Sequence, residues 1–126
     1  MSLFRVNVRA KNPKDESRST DDIEVLVDTG AELTWLPHAL LTGVGIEPRR
    51  TRTFTTATGE TVQREIGYAV LASEGHETVD EVVFARTGDL SLLGVRTLEG
   101  FGVAVDPLGG GELDRGRLSR LSSAAL

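Results

Sequence analysis

The chain has 126 residues, a formal charge of −5 and a pI near 5.0. That length fits one domain with a real core and is too short for two lobes of ordinary size, while the acidic balance lacks the basic footprint of a nucleic-acid binder or a polybasic membrane-surface protein. The absence of cysteine excludes disulfides, thiolate zinc sites and thiol nucleophiles, and the only two histidines, His38 and His76, form no metal-binding pair, so neither metal nor cofactor is expected.

In chain order, LFRVNVRA (3–10) alternates apolar and polar residues and predicts a half-buried strand, and KNPKDESRSTDD (11–22) reads as a long polar loop. EVLVD (24–28) is a second strand, with Glu24, Leu26 and Asp28 on one face and Val25 and Val27 on the other. Thr29, Gly30 and Ala31 then turn the chain into a short strand, ELTWL (32–36). Pro37 stands where a helix would begin, and PHALLTGVG (37–45) reads as a short helix stopped by Gly43 or Gly45.

RRTRTFTTA (49–57) and ETVQREIGYAVLAS (60–73) predict a hairpin with its tip around Thr58 and Gly59. SEGHET (73–78) is a turn, VDEVVFA (79–85) a strand and RTGD (86–89) a loop before SLLG. Val95, Leu98 and Phe101 are spaced for a short helix with one buried face, and GVAVDP (102–107) is a last core strand. GGG (109–111) is a turn, and LDRGRLSRLSSAAL (113–126) is a tail read as either a weak amphipathic helix or disordered. The inventory is mainly β with two short helices, without internal repeats or linkers. No apolar window approaches the ~18 residues of a membrane span, and the N-terminus lacks a signal-peptide core, so the expected address is cytoplasmic.

The Asp-Thr-Gly run is the chemical feature. Asp28 ends an apolar strand, where a turn role for Asp and Gly is the plain alternative. It is answered later by SLLGVRTLEGFGVAVDP (91–107), in which two apolar residues, a Gly, a short helix and a strand follow one another. With VLVDTGA (25–31) as an active-site loop, FTTATGETV (54–62) as a flap and LLGVRTLEGFG (92–102) as the apolar-apolar-Gly segment with its helix, the chain resembles the retropepsin-like aspartic proteases. That family comprises the retroviral enzymes and their bacterial relatives, and the resemblance implies a bacterial single-domain member.

The resemblance, covering most of residues 3–107, implies a closed acid-protease barrel with one lobe per chain, occupying 1–107, and leaves 108–126 as a C-terminal hairpin or tail. It implies a C2 homodimer that cleaves a peptide or protein substrate, without nucleic-acid or membrane partners. In it Asp28 is the catalytic carboxylate, Thr29 bonds across the dyad and Gly30 permits close backbone approach. Ala31, Glu32, Ala57, Thr58, Gly59, Leu92 and Leu93 lie where the family contacts substrate. For Glu32 the plainer role is a surface charge paired with Arg96, and for Leu92 and Leu93 it is core packing, with one expected in each role. Gly94 is expected to permit close packing behind the loop. A single glycine at the tip and about 20 residues beyond Asp106 depart from the retroviral pattern. The competing readings are a catalytically inactive dimeric module that binds a peptide or protein partner, and an unrelated β-barrel with an incidental Asp-Thr-Gly.

Overall fold

The computed structural model describes residues 4–56, 58–106 and 117–120. Strand β1, Phe4–Asn12, buries Phe4, Val6, Val8 and Ala10 and turns Arg5, Asn7 and Arg9 outward, the period-2 pattern read from the sequence. It runs into β2, Asp15–Ser19, then β3, Ile23–Val27, whose Ile23, Val25 and Val27 face the same core. After the 28–33 loop come β4, Thr34–Pro37, and helix α1, His38–Gly43. Strands β5, Arg50–Thr55, and β6, Thr61–Ser73, form the expected hairpin.

A two-residue turn with positive φ at Glu74 and Gly75 leads to β7, His76–Ala85. The remaining elements are the two-residue strand β8, Leu92–Leu93, helix α2, Val95–Phe101, and the antiparallel pair β9, Val103–Asp106, and β10, Arg117–Arg120.

Eight strands form one sheet in the order β2-β1-β3-β8-β4-β7-β6-β5, and β1 also pairs with β6, curling the sheet back towards its own start. The mainly-β expectation with two short helices holds. The main core lies on the inner side of the curl and joins Phe4, Val25, Val27, Leu36, Leu71, Val82, Phe84, Leu93, Leu98, Phe101 and Leu118. A second, smaller cluster of Leu33, Ile66 and Val83, with Trp35 and Phe54 packed against it, is separate from it. The run Val82-Val83-Phe84 is unbroken because it serves both: Val82 and Phe84 point to the main core, Val83 to the second cluster.

Two readings of the chain are corrected. The polar stretch 11–22 contains a strand, β2, joined to β1 by a turn in which Asn12 Oδ1 accepts from the Lys14 amide at 2.9 Å. Every side chain of β2 is polar, so no hydrophobic alternation marks it. In the tail, 117–120 is a strand paired with β9, with Leu118 buried, instead of helix or disorder. The GGG turn at 109–111 and the rest of the tail lie outside the described residues.

Helix α2 is seated on β7 by close packing. Thr97 and Gly100, on one helix face, meet Asp80 and Thr78, on one strand face, and a Cβ at Gly100 would stand 2.4 Å from Thr78 Oγ1. The 86–91 loop is tied to β6 by Arg64, whose Nε and Nη2 donate to Asp89 at 2.7 and 2.9 Å, while the Arg86 amide donates to the same carboxylate at 2.8 Å.

The hydrogen bond from Arg64 holds the Asp89 carboxyl below the usual carboxylate range, against burial, which pushes it up. Glu81 is likewise held low, first by its hydrogen bond from Arg50 and further by Arg96. Groups depressed on folding stabilise the protein above their unfolded pKa, and that stability is lost as pH falls through the folded one. Thermal melts are therefore expected to keep a constant midpoint down to about pH 5 and to lose it steadily below about pH 4. Asp89→Asn is expected to lower the midpoint at pH 7 and to flatten part of the acid loss; an acid slope equal to that of the native protein would show that this pair does not cause it.

Candidate active site

Asp28 follows the last residue of β3 and is half-buried, while Thr29 and Gly30 are exposed. The loop is fixed through its backbone. The Asp28 amide donates to the Leu93 carbonyl at 3.0 Å, the Ala31 amide donates to the Asp28 carbonyl at 3.1 Å, and the Gly30 amide donates to Asp28 Oδ1 at 2.9 Å. The last bond is the local turn that Asp and Gly favour, and it also aims the carboxylate.

Strand β8 lies between the two strands that flank the loop. It runs parallel to β3, with Leu26 opposite Leu92 and Val27 opposite Leu93, and touches β4 through Trp35 opposite Leu92. Two amides at the start of α2 then reach back: Val95 donates to the Ala31 carbonyl at 2.8 Å and Arg96 to the Glu32 carbonyl at 3.1 Å. These helix-start donors have no partner within the helix, so the loop satisfies them while they anchor it.

Gly94 permits this approach, as expected from the sequence. A Cβ there would lie 2.4 Å from the Leu33 carbonyl oxygen and 2.9 Å from that of Glu32. Leu93 is wholly buried in the main core and Leu92 is half-buried. Paired residues Leu26, Leu92, Trp35, Val83 and Ile66 form a cross-strand line over β3, β8, β4, β7 and β6. Asp28 follows two residues after Leu26, the end member of that apolar line.

Glu32 is exposed and accepts from Arg52 Nη2 at 2.8 Å. This corrects the expected pairing with Arg96, which lies against Asp80 at 3.6 Å and Glu81 at 3.0 Å. The curl of the sheet, which brings β5 to the loop, sets the pairing with Arg52 instead. Arg52 also stacks over Phe54, 5.0 Å from its ring centre, and Phe54 meets Trp35 at 5.0 Å. Strand β5 of the hairpin is thus joined to the loop by one ion pair and to β4 by one aromatic contact.

At the hairpin tip the Thr56 amide donates to the Glu60 carbonyl at 2.7 Å, and Gly59 takes a positive φ of 87°. Thr58 and Gly59 are exposed; Ala57 lies outside the described residues. A cavity of about 680 Å³ opens between Pro37–Ala39 and the 85–91 segment, and none of its lining residues belongs to the 28–33 loop. Among the described residues no three His, Asp or Glu side chains converge to hold a metal ion.

Residues that reasoning from sequence missed are Thr34 and Thr97. Both are wholly buried, their hydroxyls 2.6 Å apart, and Thr34 Oγ1 accepts from the Gly94 amide at 3.0 Å. The available signal was Thr34 inside the apolar run 33–36; Thr97, between Arg96 and Leu98, gave none.

Residues 19–100 match the family model described as "gag-polyprotein putative aspartyl protease". No curated protein matches the sequence. Among solved structures, the chain resembles the solution structure of the macaque simian foamy virus protease at 22% identity, covering 71% of this chain and 86% of that one, with a TM-score of 0.49. It also resembles a foamy viral protease–reverse transcriptase solved with double-stranded DNA, at 17% identity and a TM-score of 0.55. That match covers 84% of this chain but 16% of the other, and it shows a shared fold.

Replacing Gly94 by Ala is expected to cost about 3 kcal/mol, because the new methyl meets backbone that cannot swing aside. A shift of the urea midpoint checks it, and a loss under about 0.5 kcal/mol would mean that the loop yields easily.

Proposed function

The chain belongs to the gag-polyprotein aspartyl protease family, and on that premise we propose that it is a homodimeric aspartic endopeptidase. The carrying observation is that one carboxylate, Asp28, is only half-buried, accepts from the Gly30 amide and follows two residues after Leu26, where an apolar cross-strand line begins. Half a site is what one chain offers. A C2 partner supplies the other Asp28, placing two carboxylates on the axis. Residues 1–107 form the protease domain in this reading, one lobe per chain with its curled sheet closing as a barrel; 108–126 are a C-terminal hairpin or tail, of which only 117–120, paired with β9, lie within the described residues.

Two carboxylates about 3 Å apart cannot both ionise, so they share one proton, as is general for aspartic proteases, and titrate as a unit. The ionised Asp28 takes a proton from water as its oxygen attacks the scissile carbonyl carbon. The protonated Asp28 of the partner subunit gives its proton to the carbonyl oxygen. Collapse of the resulting diol breaks the carbon–nitrogen bond, with a proton passing to the leaving amine. Thr29 bonds across the dyad, and Gly30 leaves room for the two loops to meet. Ala31 and Glu32 contact the substrate main chain, and Ala57, Thr58 and Gly59 close over it from the flap. Leu92 borders a side-chain pocket, and Leu93 supports it from the core. The apolar line suits apolar residues at the cleavage site.

The side chain of Ala31 offers no hydroxyl to donate to the neighbouring carboxylate and favour its charged form. Activity is therefore expected to extend to about pH 6. An optimum near pH 3 with nothing left above pH 5 would oppose this.

The protein at a concentration where sedimentation shows a dimer, offered a mixed peptide library from pH 3 to 7 with mass-spectrometric readout, tests the function. Cleavage is expected, with Asp28→Asn lowering it by about 10²-fold or more. No cleavage by a proven dimer would favour the inactive peptide-binding module, and a stable monomer would remove the dyad altogether.

A further inference from the structure

We infer that Asp80 and Thr97 are positioning residues for the catalytic loop, acting through Thr34 and Gly94; this rests on the protease reading above and adds groups that touch no substrate. Asp80, as a carboxylate, only accepts hydrogen bonds. Thr97 Oγ1 stands 3.1 Å from Asp80 Oδ2, so its single proton points there. The hydroxyls of Thr97 and Thr34 are 2.6 Å apart, and with the Thr97 proton committed, Thr34 must donate and Thr97 accept. Thr34 Oγ1 then offers a lone pair to the Gly94 amide at 3.0 Å.

The four groups form a chain of one polarity, running from the Gly94 amide through two hydroxyls to a carboxylate. Both threonines are wholly buried and the Asp80 side chain is 9% exposed, so no water competes freely for these bonds. Successive bonds that end on an anion polarise one another. The outer end is itself fixed: Asp80 Oδ1 accepts from the Glu81 amide at 2.7 Å and faces Arg96 Nη2 at 3.6 Å.

The inner end lies where the loop is held. Gly94 follows Leu93, whose carbonyl receives the Asp28 amide, and precedes Val95 and Arg96, whose amides hold the Ala31 and Glu32 carbonyls. Thr34 begins the strand that leaves the loop. The chain of hydroxyls therefore clamps the exit of the loop to the segment that grips its entry, and sets the height at which Asp28 stands.

The test compares the native protein with Thr97→Val, Thr97→Ser and Thr34→Val in peptide-cleavage kinetics and in amide hydrogen exchange. Thr97→Val is expected to lower kcat about tenfold or more, because a small misplacement of reacting groups is costly, with KM within about threefold of native. The amides of Asp28, Val95 and Arg96 should exchange faster, while those of the core residues Val8 and Leu71 should not. Thr97→Ser, which keeps the hydroxyl, should restore both readouts. Thr34→Val, which removes the link from its other side, carries the same test should the Thr97→Val variant not fold.

Unchanged kcat and unchanged loop exchange in Thr97→Val would overturn the inference. So would exchange that rises uniformly through the core, since that is general destabilisation. A native protein that cleaves nothing would defeat the protease reading alone, and the ratio of loop to core exchange would still decide whether this chain of bonds orders the loop.

Discussion

Strand β8 is two residues long, and most of the site depends on where it lies. Leu92 and Leu93 are inserted between β3 and β4, so the 28–33 segment must leave one neighbour of β8 and return as the other. Buried backbone groups need partners, and this crossing supplies them in both directions: Asp28 donates to Leu93, and Ala31 and Glu32 accept from Val95 and Arg96. Moving the loop would break several such bonds together. The same insertion explains why residue 94 has no side chain, since the backbone of Leu33 and Glu32 fills the place a Cβ would take.

A second layer of charge and aromatic contact lies around that backbone frame. Arg50 and Arg96 converge on Glu81, and Arg96 also faces Asp80, so β5, β7 and α2 meet at one point. Arg52 joins Glu32 in the loop, and Phe54 joins Trp35 just beyond it. An exposed pair such as Arg52–Glu32 contributes little singly, and in the others the arginine end stays in solvent. Their effect here is geometric, because the strand that carries the hairpin tip is referenced to the loop and to the helix that holds the loop. The small apolar cluster of Leu33, Ile66 and Val83 beneath Phe54 supplies burial that the ion pairs do not.

The parts legible in the sequence are those where apolar spacing and local turn chemistry act together. Strands β1 and β3 announce themselves by alternation, the hairpin by its polar tip, and α2 by the spacing of Val95, Leu98 and Phe101. The family model spanning 19–100 follows the same segments. Strand β2 was not legible because its side chains are all polar, and the strand at 117–120 was not because one buried Leu118 gives no period. Pairings between distant strands were equally hidden: nothing local places Arg52 beside Glu32, or Asp80 beside Thr97, at separations set by the curl of the sheet. Buried hydroxyls are the hardest case, since a threonine inside an apolar strand has the same β propensity whether its hydroxyl is bonded to a strand partner or to a helix across the sheet.

A loop held by this many backbone bonds around the half-buried Asp28 is an unusual use of bonding. Surface turns generally keep few tertiary bonds and move freely, yet here five loop and helix-start groups, from Asp28 to Arg96, are engaged. On the proposed reading this bonding has a physical reason. Two like carboxylates repel at contact distance, and unless each is held by its own backbone they would swing apart and be hydrated separately instead of sharing a proton. On that same reading, the bonding within one chain is what would let two chains share the site, and activity would be tied by mass action to the concentration at which the chains meet.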